Sequence, residues 1–346
     1  RVSGKFAGMM ELEKRIKAFA SLGTLLSNLA PNQKEDLFRR AENRNNWFTA
    51  ESCEQALNGL AFMLQESKLR EWVSKYEFPQ YSSPKDVGVL MAGNIPAVGF
   101  HDAMTVLLSG NKLSAKLSSA DEVLMKWLLQ QLIQLEPEFE KLIEFSDMLK
   151  NKDAYIATGS DNSARYFNYY FGKYPSVIRQ NRTSVAILEG DENQDELVNL
   201  GKDIFSYYGL GCRNVSKIFI RNEEELQQLL KELQIFSGKA EHHKYLNNYD
   251  YNKSIYLVNQ DSHLDNGFLI LKESQDLVSP IAVLYYELYS SKEDLTKKID
   301  SLSSKIQCVV GNIDHGIASV PFGQAQMPEL WDYADGVDTL EFLTTL

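Results

Sequence analysis

The feature that most constrains this chain is a grammar that starts at residue 87: an apolar run, a glycine-bearing turn, a helix-length stretch, and then the same again. Residues 87–92 are apolar, Gly93, Asn94, Ile95 and Pro96 make a turn, and a helix extends to Leu108, where Gly110 and Asn111 close it. Residues 113–117 form the next strand, and Asp121 stands at the cap of a helix that runs to about residue 136. A further short strand, 154–158, leads through Gly159 and Ser160 into a helix that ends near Phe171. Parallel strands need helical crossovers, and strands buried on both faces read as apolar runs. The alternation therefore predicts a doubly wound α/β fold, a parallel sheet with helices on both faces.

The pattern resumes after Pro175, with strands expected at 184–188, 216–220, 254–258, 268–271, 281–288 and 306–310, and helices at 194–207, 223–235 and 292–303. Two α/β domains meeting near residue 178 are the simplest division, with a ligand cleft expected at their junction. Residues 1–178 read as a helical entry plus a Rossmann-like cofactor-binding domain. Residues 179–346 read as a catalytic α/β domain, with a C-terminal tail that can return to the first. In the entry, Leu12, Ile16, Phe19, Leu22, Leu25, Leu26 and Leu29 recur at helical spacing. Residues 34–46 form a polar helix. Ser52, with Gln55 three residues on, predicts a capping box for a helix carrying Leu57, Leu60, Met63 and Leu64. Pro79, Ser82, Ser83 and Pro84 mark the connection to the first strand.

Charge narrows the partners. Lys plus Arg number 36 against 47 Asp plus Glu, a net charge of −11, which repels nucleic-acid phosphates and anionic lipid heads. No apolar run approaches the roughly 20 residues that span a bilayer, so a soluble, cytoplasmic protein without a membrane span is expected. The three cysteines, Cys53, Cys212 and Cys308, are far apart and accompanied by five histidines, which gives neither a disulfide framework nor zinc spacing. His242 and His243 lack a third ligand and read as an exposed polar face, so no metal site is expected. The segment with Tyr245, Tyr249 and Tyr251 reads as a loop, either between domains or at a substrate entrance.

The question of chemistry therefore falls on the thiols. Cys212 sits in Gly209-Leu210-Gly211-Cys212-Arg213-Asn214, between a helix and the strand opening at Ser216. The two glycines, Gly209 and Gly211, let backbone come close to a substrate, and Arg213 and Lys217 favour a thiolate if they point inward. The same residues also describe an ordinary small residue in a turn. Cys53 lies on a helical face and Cys308 within an apolar strand, and both read as core.

Residues 209–220 resemble the nucleophile segment of the aldehyde dehydrogenase superfamily, in which a glycine precedes the cysteine by three residues and a Ser-basic-Ile-Phe strand follows. Other landmarks stand in the superfamily's order. The turn Gly93-Asn94-Ile95-Pro96 resembles its Trp-Asn-x-Pro element. Gly110-Asn111 with Ala115-Lys116-Leu117-Ser118-Ser119 resembles its Gly-Asn and Lys-Pro-Ser-Glu elements. Ala157-Thr158-Gly159-Ser160 resembles Phe-Thr-Gly-Ser, and Val320-Pro321-Phe322-Gly323 resembles the closing Pro-Phe-Gly-Gly. Within the superfamily, residues from about 85 to 345 are most similar to the acyl-CoA reductase family, that of the fatty acid reductase of bacterial bioluminescence operons. That likeness rests on the turn continued through Ala97-Val98-Gly99, on Lys116 to Asp121, and on Phe322-Gly323-Gln324-Ala325-Gln326-Met327-Pro328.

The resemblance implies roles. Cys212 is the nucleophile that forms a thioacyl intermediate, and the Asn94 amide joins the Cys212 backbone N–H as an oxyanion hole. Lys116, Ser118, Ser119, Thr158, Gly159 and Ser160 face a nicotinamide dinucleotide, NADPH or NADH. Ser119 replaces the acid usual at that place, which opens the site to a 2′-phosphate. The implied reaction reduces a fatty acyl thioester, delivered by CoA or an acyl-carrier partner, to an aldehyde. Homo-oligomers fit the same picture. One departure sharpens it: the superfamily's oxidising members carry a glutamate ahead of the cysteine to activate water, whereas residues 174–188 contain no acid. Two alternatives stay open: a CoA-acylating short-chain aldehyde or semialdehyde dehydrogenase, and a non-catalytic acyl- or partner-binding protein on the same fold.

Overall fold

Apolar residues at helical spacing make α1 (Leu12–Ser27), which buries Ile16, Phe19, Leu22 and Leu26. Gly23 brings it close to its neighbour, since a Cβ there would lie 2.7 Å from the Leu64 Cβ. Helices α2 (Pro31–Arg44), α3 (Ala50–Met63) and α4 (Glu66–Val73) complete the entry. The cap of α3 is Thr49, whose side chain accepts the Ser52 N–H at 3.3 Å. Ser52 is thus buried inside the first turn, and a single cap by Thr49 stands three residues before the expected start. This computed structural model describes residues 10–78, 83–159, 161–311 and 319–346. Pro79 and Ser82 of the expected connection lie outside the described residues.

The strand–helix grammar then produces β1 (Asp86–Leu90), α5 (Phe100–Leu108), β2 (Lys112–Lys116), α6 (Glu122–Leu135), β3 (Ile143–Phe145), β4 (Ala154–Gly159), α7 (Asp161–Phe171) and β5 (Ser176–Gln180). All five strands pair in parallel, in the order β3-β2-β1-β4-β5. Strands are added to one side of β1 and then, from β4, to the other. The carboxyl ends of β1 and β4 therefore flank a topological switch point, where open α/β sheets place their ligands.

A second sheet follows from β6 (Thr183–Ile187), α8 (Gln194–Phe205), β7 (Val215–Ile220), α9 (Glu224–Glu232), α10 (His243–Asn259), β8 (Leu264–Asp265), β9 (Ile270–Glu273), β10 (Val283–Leu288), α11 (Lys292–Leu302) and β11 (Ile306–Val310). Its order is β11-β6-β7-β10-β9-β8, parallel except for the short edge strand β8. Residues 254–258, expected as a strand, are the last turns of α10, and the tyrosine-rich segment is helix rather than loop. Tyr245, Tyr249, Asn252 and Tyr256 share its buried face, while Leu257 and Val258 point to solvent.

The two sheets belong to separate compact units, Arg1–Asn181 with Pro328–Leu346, and Arg182–Met327. The tail packs into the first unit through Leu330, Tyr333 and the helix α12 (Thr339–Thr344), whose Leu340 and Leu343 join its core. A buried polar link fastens it. Arg179 of β5 gives both Asp102 carboxylate oxygens 2.8 Å hydrogen bonds and a third, at 2.6 Å, to Thr339. Among the described residues no helix is long and apolar enough to cross a membrane.

Candidate active site

In the first unit the sheet brings together residues far apart in sequence. β1 pairs Leu90 with Lys116 on one side and with Ala157 on the other. The segments that leave β1, β2 and β4 consequently emerge along one edge. Asn94 lies exposed on the turn after β1, Lys116 is the exposed last residue of β2, and Ser118 and Ser119 follow it, half-buried and exposed. Thr158 and Gly159 end β4; Ser160 lies outside the described residues.

Two glycines make this edge tight. A Cβ on Gly93 would come within 2.3 Å of the Ser118 Oγ, so the Asn94 turn rests directly on the loop after β2. A Cβ on Gly159 would meet Phe167 at 2.7 Å and Ser163 at 2.9 Å, so only glycine lets α7 approach the strand end this closely. Close helix–strand packing of this kind sets the first turn of a helix, with its unpaired N–H groups, beside a strand end. A lysine, two hydroxyls and that helix start, with no acid from Lys116 to Ala120, suit an anionic dinucleotide.

In the second unit Cys212 lies on the loop that enters the amino end of β7. Tyr207, Tyr208 and Gly209 take φ of 51°, 55° and 79°, three consecutive left-handed residues. For tyrosine that conformation costs about 1–2 kcal/mol per residue, so something must hold it. Asn214, which is buried, is that device. Its amide donates to the carbonyls of Asp203 at 3.0 Å and Ser206 at 2.8 Å, and its Oδ1 accepts the Gly211 N–H at 2.8 Å. The cysteine carbonyl accepts from Ser184 Oγ at 3.1 Å. The strained turn, the asparagine rivet and the serine fix the loop while leaving Cys212 partly exposed.

The surrounding charges are arranged differently from what the sequence suggests. Lys217 is fully buried, paired with Glu287 and donating to the Gln275 carbonyl at 3.1 Å, so it is not turned toward the thiol loop. Arg213 donates to the Ala325 carbonyl. Asp203 completes this clamp, accepting the Gly323 N–H at 2.6 Å and the Ala325 N–H at 3.0 Å. Burial pushes its carboxyl up to about 6, against the pull of those N–H groups and of Arg213 and Lys202. The segment resembling Pro-Phe-Gly-Gly is thus tied to α8 and to the residue after Cys212. Asp203 and Asn214 escape a sequence reading because Asp203's partners lie 120 residues on and Asn214's role appears only once the helix end is in place.

Of the other thiols, Cys53 is core, and burial, with Asp121 and Glu42 nearby, pushes it up to about 12. Cys308 corrects the expectation: it is half-exposed, with its Sγ 3.0 Å from the Ser184 Oγ. His242 caps α10 by accepting the Tyr245 N–H. No group of three His, Cys, Asp or Glu among the described residues is placed to hold a metal. Glu189, the acid just past β6, pairs with Arg221 at 3.1 Å. Because β6 and β7 run parallel, with Ile187 beside Phe219, that pair stands at the carboxyl end of the strands and Cys212 at the amino end.

A sequence profile of the family described as acyl-CoA reductase (LuxC) matches residues 25–236, more than half of the chain. The chain belongs to this acyl-CoA reductase family. No curated protein matches it in sequence. Solved structures with the same fold include aldehyde dehydrogenases. One is aldehyde dehydrogenase 21 from Physcomitrella patens, in complex with succinate, 14% identical, with a TM-score of 0.61 over 89% of this chain and 75% of that one. Another is an aldehyde dehydrogenase from Bacillus cereus in its NAD+ complex, 13% identical, with a TM-score of 0.63 over 92% and 77%. A third is the NADP-dependent glyceraldehyde-3-phosphate dehydrogenase from Bacillus halodurans C-125 complexed with NADP, 13% identical, with a TM-score of 0.59 over 87% and 74%. An acyl-CoA reductase on an aldehyde dehydrogenase fold is an NAD(P)-linked oxidoreductase.

Proposed function

We propose that the protein reduces a fatty acyl thioester to the aldehyde through a thioacyl intermediate on Cys212, with Asn94 and the Cys212 backbone N–H as oxyanion donors. The observation that carries this reading is the Cys212 loop, a partly exposed thiol three residues past a strained left-handed turn, in a loop that Asn214 and Ser184 hold in place. Backbone strain that surrounding hydrogen bonds hold in place beside a reactive side chain is the mark of a positioned group.

The Cys212 thiolate attacks the thioester carbonyl, a carbon–sulfur bond forms, and the CoA or carrier thiolate departs with the electron pair of the old one. The Asn94 amide and the Cys212 N–H meet the negative oxygen that develops. A bound nicotinamide supplies the hydride that reduces the acyl group. The Cys212 sulfur then leaves with its electron pair as the carbonyl reforms, which releases aldehyde and restores the thiolate. Lys116, Ser118, Ser119, Thr158, Gly159 and Ser160 would hold the dinucleotide. With Ser119 in place of an acid and Lys116 as a counter-charge, NADPH should be accepted at least as well as NADH.

The test is intact mass after mixing with a panel of acyl-CoAs, first without cofactor and then with NADPH or NADH. One acyl group should appear on the protein and on the Cys53→Ala and Cys308→Ala variants, and be discharged as aldehyde by NADPH. It should be absent from Cys212→Ala. Label that persists in the Cys212 variant refutes the assignment.

A further inference from the structure

Asp121 stands at the N-cap of the 14-residue helix α6, where aspartate ordinarily accepts the first free N–H groups of the helix. Here it does not. Its side chain makes no capping hydrogen bond, is 2% exposed, and neither carboxylate oxygen has a hydrogen-bond partner. A carboxyl that gives up its cap to be buried without a hydrogen-bond partner is costly, so its place there calls for a reason.

Its surroundings show what the carboxyl faces. A Cβ built on Gly93 lies 3.4 Å from the Asp121 Cβ, so the side chain is packed behind the turn that carries Asn94. The Ala97 N–H, at the far end of that turn, lies near enough to favour its anion without reaching hydrogen-bond geometry. Ala97 itself takes a φ of 57°, left-handed without being glycine. Cys53 of α3 is near enough to feel its charge. On the outer side of its loop, Arg44 of α2 donates to the Ser119 carbonyl at 2.8 Å and lies 3.6 Å from Glu122. No cation among these neutralises the carboxyl directly, and burial raises its pKa well above the usual carboxylate range.

We propose that Asp121 is a positioning residue for Asn94, a buried side chain that backs the 93–97 turn and sets the height of the amide presented at the sheet edge. This rests on the reading of Asn94 as an oxyanion donor. A misplacement of about 1 Å in such a donor is enough to cost on the order of 10²-fold in rate.

The variants are Asp121→Ala, which empties the space behind the turn, and Asp121→Asn, which fills it with a neutral group of the same shape. Two readouts apply: steady-state reduction of an acyl-CoA, and hydrogen-exchange mass spectrometry of peptides spanning 91–99. In Asp121→Ala, kcat should fall about 10- to 100-fold while KM for acyl-CoA stays within about twofold. Amide exchange should quicken in the 91–99 peptides but not in those of β4 and β5. Asp121→Asn should restore both. An Ala variant with unchanged kcat and unchanged exchange overturns the proposal, as does an Asn variant as slow as the Ala one. A wild-type protein that reduces no acyl-CoA counts against the function reading. The exchange arm then still decides whether Asp121 sets the turn.

Discussion

A carboxyl fully buried among backbone donors should leave a trace in the pH dependence of stability, and Asp203 is the residue where the sign can be worked out. Its folded value is about 6, above the ordinary 3.8, because burial outweighs the two N–H groups that hold it. Between about pH 4 and 6 the native state therefore binds a proton that the unfolded state has released. The stabilisation from this residue is complete below about 4 and is lost as pH rises through about 6. Two pH units correspond to roughly 3 kcal/mol in order of magnitude. Urea unfolding at pH 4 and pH 7 should show the wild type losing stability relative to Asp203→Asn by that order. A difference between the two proteins that does not change with pH would mean Asp203 titrates normally. Asp121 and Asp203 share a lesson about what one residue's identity reveals. Asp121 reads as a helix cap and Asp203 draws no notice in the sequence, and burial makes each unusual.

At the scale of elements, the strand–helix alternation was legible from residue 87 because an apolar run bounded by glycine or proline has few other readings. The exceptions have physical reasons. Residues 254–258 are rich in apolar and aromatic residues, and a run of five cannot by itself separate strand from helix. The buried tyrosines and Asn252 at helical spacing carry the signal that decides it. β5 was missed because one of its two buried residues is Arg179, a charge that looks solvated until Asp102 and Thr339 are found beside it. β3, of three residues and largely exposed, offered little pattern. The Arg179 link joins β5, α5 and α12, so removing one partner should be felt by all three. Asp102→Ala leaves a buried guanidinium without its anion and should destabilise the protein by about 3–5 kcal/mol in urea unfolding. A loss below about 1 kcal/mol would mean that water reaches Arg179 and the link is dispensable.

For the molecule as a whole, the landmarks named the family, and the structure supplied what a linear reading lacks. Asn94, Lys116, Ser118, Thr158 and Gly159 share one sheet edge only because β2 and β4 flank β1. The meaning of the acid-free stretch 174–188 also sharpened, since Glu189 beyond it is paired with Arg221 at the end of β6 and β7 away from Cys212. The proposed thioacyl enzyme waits for hydride rather than for water. The direct measurement mixes enzyme with acyl-CoA, withholds cofactor, and follows protein-bound acyl group and free fatty acid together, with NADPH added to a parallel sample. One acyl group per chain should persist, and acid should form about 10²- to 10⁴-fold more slowly than aldehyde does with NADPH, the span set by loss of a general base. Acid that accumulates over many turnovers while the bound acyl group stays low would contradict the account.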